Sequence, residues 1–358
     1  MKRIALIGSG GFVGARALEM KHLNASGFEE IEFVPIIRQF RGLGRVSKLG
    51  LRNYRMGDLS KPESLKSALA GCHAAVNLTM GDDSRITSDV QNLYRACQEG
   101  QVETLVHLSS AEVYGRCDTP GLHDDSPWQT DHWMEYARCK GQAEDWLRNT
   151  LGQSGPKIVV LRPGLIWGPR SGWLAEPAQA IHDGTAYYVD GGKWACNLCF
   201  VDNLVRSIAT VVQTPTSGFY NLGDPGRPTW RGYYQALGEV LNRDVSQLTD
   251  FPETAYRPGL KEKLSSLTKS SLAKSIKRRM QNQTKTAIKF WLTERFGGGS
   301  LHLPGPSLSK GGWWLRTVRY QLPVEKFSKT FPSATLQTFE QAMASSAQWL
   351  TFSGYHEI

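Results

Sequence analysis

In the run Glu135-Tyr136-Ala137-Arg138-Cys139-Lys140 a tyrosine and a lysine stand four positions apart, a spacing that stacks both on one face of a helix. A free phenol titrates near ~10 and is a poor base at neutral pH until a neighbouring cation and a hydrogen-bond donor stabilise its anion. Lys140 can supply the charge, and Ser110, in the upstream Ser109-Ser110 step, can supply the hydrogen bond. The chemistry open to such a set is proton exchange with a bound molecule.

A second set lies at the start of the chain. Gly8-Ser9-Gly10-Gly11-Phe12-Val13-Gly14 follows the apolar run Ile4-Ala5-Leu6-Ile7 and opens a helical pattern. Glycines turn tightly and approach phosphates closely, while a helix N-terminus offers unpaired N–H groups and a positive dipole end. Gly8, Gly11, Phe12, Val13 and Gly14 therefore read as a pyrophosphate cradle, although a surface turn explains the glycines almost as well. Arg38 ends the second expected strand, with Arg41 and Arg45 close behind and no carboxylate between Ile36 and Leu51. Arginine suits a 2′-phosphate, whereas a carboxylate accepts from a 2′-hydroxyl. The expected cofactor is NADP, with NAD as the alternative; solvated loop arginines are the bland explanation.

The elements that must position these residues are alternating apolar runs and amphipathic helical stretches. Strands are expected at Arg3–Ile7, Glu32–Ile37, Asn53–Met56, Ala74–Leu78, Thr104–Ser109 and Lys157–Arg162, with later ones at Cys199–Val201 and Gly218–Leu222. Helices are expected near Val13–Leu23, Pro62–Ala70, Ser88–Glu99 and Glu135–Asn149, and a closing one over Ser333–Leu350. This is the pattern of an α/β chain with a doubly wound parallel sheet, Rossmann-like, followed by a smaller C-terminal substrate lobe. Residues 1–170 are read as the dinucleotide-binding domain, with a strand returned from about 195–222; residues 171–358 form the lobe, including a basic insertion at about 255–320.

Composition bounds the rest. At 358 residues and 40% apolar content the chain can bury a large core. The apolar stretch after Met1-Lys2-Arg3 is too short for a leader, and no eighteen-residue apolar run suggests a spanning helix. Six scattered cysteines argue for reduced thiols in a cytoplasmic setting, and Cys196 and Cys199, with no second pair, read as packing thiols rather than a metal site. The net charge of +9 sits in one place: Ala255 to Tyr320 carries 14 Lys or Arg against only Glu262 and Glu294. Within it Leu260, Leu264, Leu267 and Leu272, Ile276, Met280 recur at helical spacing, while Gly297–Ser300 and Pro304–Gly312 read as loops.

Several runs now occur in a telling order: Gly8-x-x-Gly11-Phe12-Val13-Gly14, Gly57-Asp58-Leu59, Leu108-Ser109-Ser110-Ala111-Glu112-Val113-Tyr114-Gly115, Tyr136-x-x-x-Lys140, Leu161-Arg162-Pro163-Gly164 and Gly168-Pro169-Arg170. Together they resemble the extended short-chain dehydrogenase/reductases, the NAD-dependent epimerase/dehydratase family, and Phe200-Val201-Asp202-Asn203-Leu204 and Tyr220-Asn221-Leu222-Gly223 extend the likeness to about residue 245. The resemblance implies that Asp58 and Leu59 lie at the adenine, Leu78 and Thr79 beside the cofactor, and Pro163 near the nicotinamide. It implies that Ser110 hydrogen-bonds the substrate oxygen, Tyr136 exchanges its proton, and Lys140 holds the nicotinamide ribose and depresses the tyrosine pKa. It also implies a homodimer through the helix bearing Tyr136.

The expected activity is an NAD(P)-dependent oxidoreductase interconverting a secondary alcohol and a ketone on a bulky small molecule. Nucleotide-sugar dehydratases of this family carry Asp-Glu after the catalytic hydroxyl residue; here the pair is Ala111-Glu112, which disfavours dehydration. The arginine that sugar-nucleotide members place before the Val-Asp signature is also missing from Cys196-Asn197-Leu198-Cys199-Phe200-Val201-Asp202. Trp128, Trp133, Trp167, Trp173, Tyr187, Tyr188 and Trp194 fall where the family builds its pocket, with about two of them expected at the substrate and the rest in the core. The alternatives are a nucleotide-sugar epimerase or decarboxylase with tightly held NAD, and a non-catalytic cofactor-binding scaffold or sensor. For the basic insertion the readings are a solvated helical insertion, a peripheral contact with an anionic membrane surface through Lys277-Arg278-Arg279 and Phe290-Trp291-Leu292, or a gate for an acidic substrate; nucleic acid is disfavoured for want of any accompanying motif.

Overall fold

The protein is described by a computed structural model over residues 1–117, 121–256 and 305–355. Eight elements wind the first half of a sheet: β1 (Lys2–Ile7), α1 (Phe12–His22), β2 (Ile31–Ile37), β3 (Arg55–Met56), α2 (Pro62–Leu69), β4 (Ala74–Asn77), α3 (Ile86–Glu99) and β5 (Thr104–Leu108). α4 (Glu135–Thr150) leads to β6 (Lys157–Pro163), and the later β10 (Gly218–Leu222) adds a further strand beyond β6. The seven strands run in the order β10-β6-β5-β4-β1-β2-β3, all parallel.

A parallel sheet must be covered on both faces, and the strand residues divide accordingly. Ile4 and Leu6 of β1, with Val159 and Leu161 of β6, face a core that includes Leu18 of α1 and Leu204 and Ile208 of α6 (Val201–Gln213). Ala5 and Ile7, with Ile158 and Val160, face the opposite core of α2, α3 and α4. The outer surfaces of α1 and α6 are tied by Arg16, whose guanidinium meets both Asp202 oxygens at 2.6 and 2.8 Å.

The remaining elements are β7 (Leu165–Trp167), α5 (Gly172–His182), β8 (Tyr187–Val189), β9 (Leu198–Phe200), α7 (Trp230–Leu241), β11 (Thr249–Phe251), α8 (Lys310–Arg316), α9 (Glu325–Thr330) and α10 (Phe339–Phe352). A third core of Trp167, Leu174, Tyr188, Trp230, Tyr233 and Phe339 gathers many of them into a lobe over the carboxyl ends of the sheet. Two small parallel pairs, β7 with β9 and β8 with β11, complete it. Cys196 and Cys199 are buried free thiols within or beside this packing.

Three expectations change. The strand expected at Cys199–Val201 forms at Leu198–Phe200 and pairs with β7, outside the large sheet. The loop expected up to Gly312 gives way to α8 at Lys310, where the Ser309 hydroxyl accepts from the Gly312 amide. The closing helix starts at Phe339 instead of Ser333, behind a capping box in which Thr338 and Gln341 satisfy each other's amides. The amphipathic stretches from Leu260 to Met280 and the membrane-facing reading of Lys277 to Leu292 lie outside the described residues. Among the described residues no helix is long and apolar enough to cross a membrane.

Candidate active site

A cavity of about 1090 Å³ opens where β1, β2, β4, β5 and β6 end beneath the lobe. That is the crevice at which doubly wound sheets bind ligands. Its floor is the turn after β1. Gly8 adopts φ +88°, and a side chain there would press on the Leu78 carbonyl at 3.1 Å. A side chain on Gly14 would come within 2.5 Å of the Gly8 oxygen, so only glycine lets α1 seat against the turn. Gly11 caps α1 without a side-chain hydrogen bond, and no acidic residue stands in the first turn; the amides of that turn are therefore disposed toward an anion. Phe12 and Val13 border the same space, as do Leu78 and Thr79 at the end of β4.

At the far end lie Arg38, Asp58 and Leu59. Burial acts upward on the Asp58 carboxyl, but hydrogen bonds from the Ser60 amide and hydroxyl, with the charges of Arg38 and Arg85, hold it below its ordinary value. Arg38 and Arg45 both border the cavity, and neither has an ion-pair partner among the described residues. The residues present thus fit a dinucleotide: glycines and helix amides suit the pyrophosphate, and Arg38, Arg45 and Asp58 border the same cavity.

Ser110, Tyr136, Lys140 and Pro163 line the opposite end. The Ser110 hydroxyl stands close enough to the Tyr136 phenol to act on it, drawing its pKa down. Lys140 is buried, donates to the Leu108 carbonyl at 2.7 Å, and its ammonium stands 5.8 Å from the Tyr136 ring centre. Burial pushes Tyr136 up to about 12, opposed by the nearby Ser110 hydroxyl, with the charges of Asp83 and Glu112 adding to the rise. Burial likewise brings Lys140 down to about 8, opposed by the charges of Glu144 and Asp83.

Behind this end lies a buried clamp. Arg162 donates through Nε to both Glu144 oxygens at 2.9 Å, Ser109 donates to Glu144 as well, and the guanidinium also reaches Tyr114 at 2.6 Å. It joins β5, α4 and β6, and so fixes Ser110 relative to Tyr136 and Lys140.

Of the aromatic residues singled out from sequence, Trp133 and Trp173 border the cavity, whereas Trp167 and Tyr188 fill the lobe core. Sequence reasoning missed Trp314 and Leu315 of α8, and weighed Glu112 only as half of the Ala111-Glu112 pair that disfavours dehydration. The Trp314 indole donates to Glu112 at 2.9 Å and so fastens α8 to the end of β5. The Gly311-Gly312-Trp313-Trp314 run was the available signal: two indoles on a short element rarely face only water.

A family profile described as the NAD dependent epimerase/dehydratase family matches residues 4–223. Among curated proteins, the chain is 26% identical over 270 residues, 68% of its length and 74% of the relative's, to N-acetyl-alpha-D-glucosaminyl-diphospho-ditrans,octacis-undecaprenol 4-epimerase of Escherichia coli O157:H7. It is also 26% identical, over 66% of its length and 73% of the relative's, to 4-hydroxy-2-methyl-3-oxo-4-farnesyl-3,4-dihydroquinoline-1-oxide ketoreductase of Stigmatella aurantiaca. In fold it is similar to dTDP-glucose 4,6-dehydratase of Bacillus anthracis str. Ames, solved with NAD, at TM-score 0.69 and 16% identity over 99% of this chain and 98% of that one.

Proposed function

The chain belongs to the NAD dependent epimerase/dehydratase family, and on that premise we propose that it is an NADP-dependent reductase of a bulky ketone, with Tyr136 as the proton donor. The observation that carries this reading is the Tyr136 phenol: beside Ser110 and Lys140, in the same cavity as the Gly8–Gly14 turn. A phenol pushed up to about 12 holds its proton at neutral pH, so the site is set to give a proton rather than to take one.

The nicotinamide, when bound, supplies the hydride. The work of the chain is to place and protonate the carbonyl. Ser110 and Tyr136 would converge on one oxygen, polarising the carbonyl and leaving its carbon open on the side of Pro163. As that oxygen gains charge it takes the Tyr136 proton, and the resulting phenolate is stabilised by the nearby Lys140 ammonium and by Ser110. The phenol is then restored from solvent. Trp133, Trp173 and Trp314 wall the substrate end and exclude water from the developing charge.

The Escherichia coli relative acts, by its name, on a diphosphate-linked sugar, which favours the epimerase reading. Against it, the Asn197 side chain is spent on the C-terminal segment, donating to the Tyr320 carbonyl at 3.1 Å and accepting from the Leu322 amide at 2.9 Å. The position offers no cation to a diphosphate. The test is NADPH consumption with aromatic and alicyclic ketones, compared between the native chain and Tyr136→Phe. We expect stoichiometric oxidation that falls about 100- to 10,000-fold in the variant while NADPH still binds. Tightly retained NAD with no net redox change overturns the reductase reading, and unchanged activity in Tyr136→Phe overturns the role of the phenol.

A further inference from the structure

The substrate end of the cavity contains a polar group that the proton and hydride transfers do not use. Glu112 borders the cavity with its side chain 15% exposed, and its Oε1 accepts from Trp314 Nε1 at 2.9 Å. The same oxygen lies 3.1 Å from Nε2 of His132, a residue with no exposed surface. His132 Nδ1 accepts from the Met134 amide at 3.0 Å, which places the ring proton on Nε2, facing the carboxylate. That contact is not aligned as a hydrogen bond, so the ring packs against Glu112 without consuming its acceptors. Oε2 takes no hydrogen bond among the described residues. Around it stand rings: His132 edge-on to Trp314 at 5.0 Å, and Trp133 to Trp314 at 6.0 Å and 70°.

We propose that Glu112 is a specificity-determining residue, whose Oε2 accepts a hydrogen bond from a hydroxyl or N–H carried by a flat, ring-bearing ketone packed against Trp133 and Trp314. The inference rests on the ketone-reducing reading above and adds the substrate class. A carboxylate can only accept, and in an aromatic wall its free oxygen requires a donor. An anionic substrate meets repulsion there, because Glu112 and Asp83 both face the Tyr136 end of the cavity. If Glu112 served only to fasten α8, Oε1 would suffice, and the substituents of the substrate would be indifferent to it.

The test uses the full chain with NADPH and four probes: tetralone and its ring-hydroxylated, ring-methoxylated and ring-carboxylated derivatives. Each is ranked by kcat/KM and, independently of turnover, by Kd from quenching of tryptophan fluorescence. The native protein should favour the hydroxylated over the methoxylated probe by about 10- to 100-fold in both measures, with the carboxylated probe weakest. In Glu112→Gln the amide keeps the Trp314 bond through its carbonyl and turns a donor to where Oε2 stood. The hydroxyl preference should then collapse toward unity and the carboxylated probe should gain. An unchanged ranking in Glu112→Gln, or a native protein indifferent to the substituent, overturns the proposal. If fluorescence shows the expected ranking but no probe is reduced, the specificity role stands and the ketone-reducing reading fails.

Discussion

The Lys140 ammonium is bound to the Leu108 carbonyl, the last of β5, at 2.7 Å, and this contact fixes the charge beneath the Tyr136 ring. Burial outweighs the charges of Glu144 and Asp83 and brings this cation down to about 8. Tyr136, buried in the same place, moves the other way, to about 12.

These opposite shifts predict an asymmetric pH dependence. In the reductive direction Tyr136 must be protonated, which it is across the neutral range, so kcat/KM should be level there. It should then decline as pH rises through about 8, where Lys140 loses the charge that stabilises the forming phenolate. In the oxidative direction the phenolate is the active form, and the rate should climb by about tenfold per pH unit below the phenol's pKa. Lys140→Met should remove the alkaline limb of the reductive profile. A reductive profile that rises with pH would contradict the assignment of Tyr136 as an acid.

Arg38 follows β2 at the cavity edge with no ion-pair partner among the described residues, and Arg45 borders the same cavity. A guanidinium there gains most from a dianionic 2′-phosphate and little from a hydroxyl. Arg38→Ala should therefore weaken NADPH binding by about 10- to 100-fold while changing NADH binding by less than about threefold. Isothermal titration of both cofactors reads the difference directly, and equal losses for the two would remove the case for NADP.

Much of the sheet was legible because parallel strands buried on both faces are written as short continuous apolar runs, such as Val159-Val160-Leu161, bounded by turn residues. The glycine turn and the Tyr136–Lys140 spacing were legible because each is local. β7 was not: its strand is only three residues long, and its partner β9 lies more than thirty residues away. The start of α10 was missed because the apolar pattern runs upstream through Leu336, while the box at Thr338 and Gln341 decides where the amides are satisfied. Trp314 and Glu112 meet across 202 residues. No periodicity encodes such a contact, which exists only because the C-terminal segment, anchored by Asn197, brings α8 back over the end of β5.

Gly141, the residue after Lys140, offers a test of how tightly α4 is held. In an exposed helix interior, glycine to alanine gains about 0.5–1 kcal/mol. Here the added methyl would fall 2.2 Å from Cδ2 and 2.5 Å from Cε3 of Trp128, a rigid ring whose Nε1 donates to Asp145 on the same helix at 2.8 Å. Overpacking of this kind costs about 1–3 kcal/mol, more than the propensity gain. Gly141→Ala should therefore lower stability by about 1–2 kcal/mol in urea unfolding, and by displacing the helix at Lys140 should reduce turnover as well. Trimming the ring in the double variant Gly141→Ala, Trp128→Leu should recover part of the stability lost to the clash. A single variant more stable than the native protein would show that Trp128 yields freely, and that α4 is not positioned by this contact.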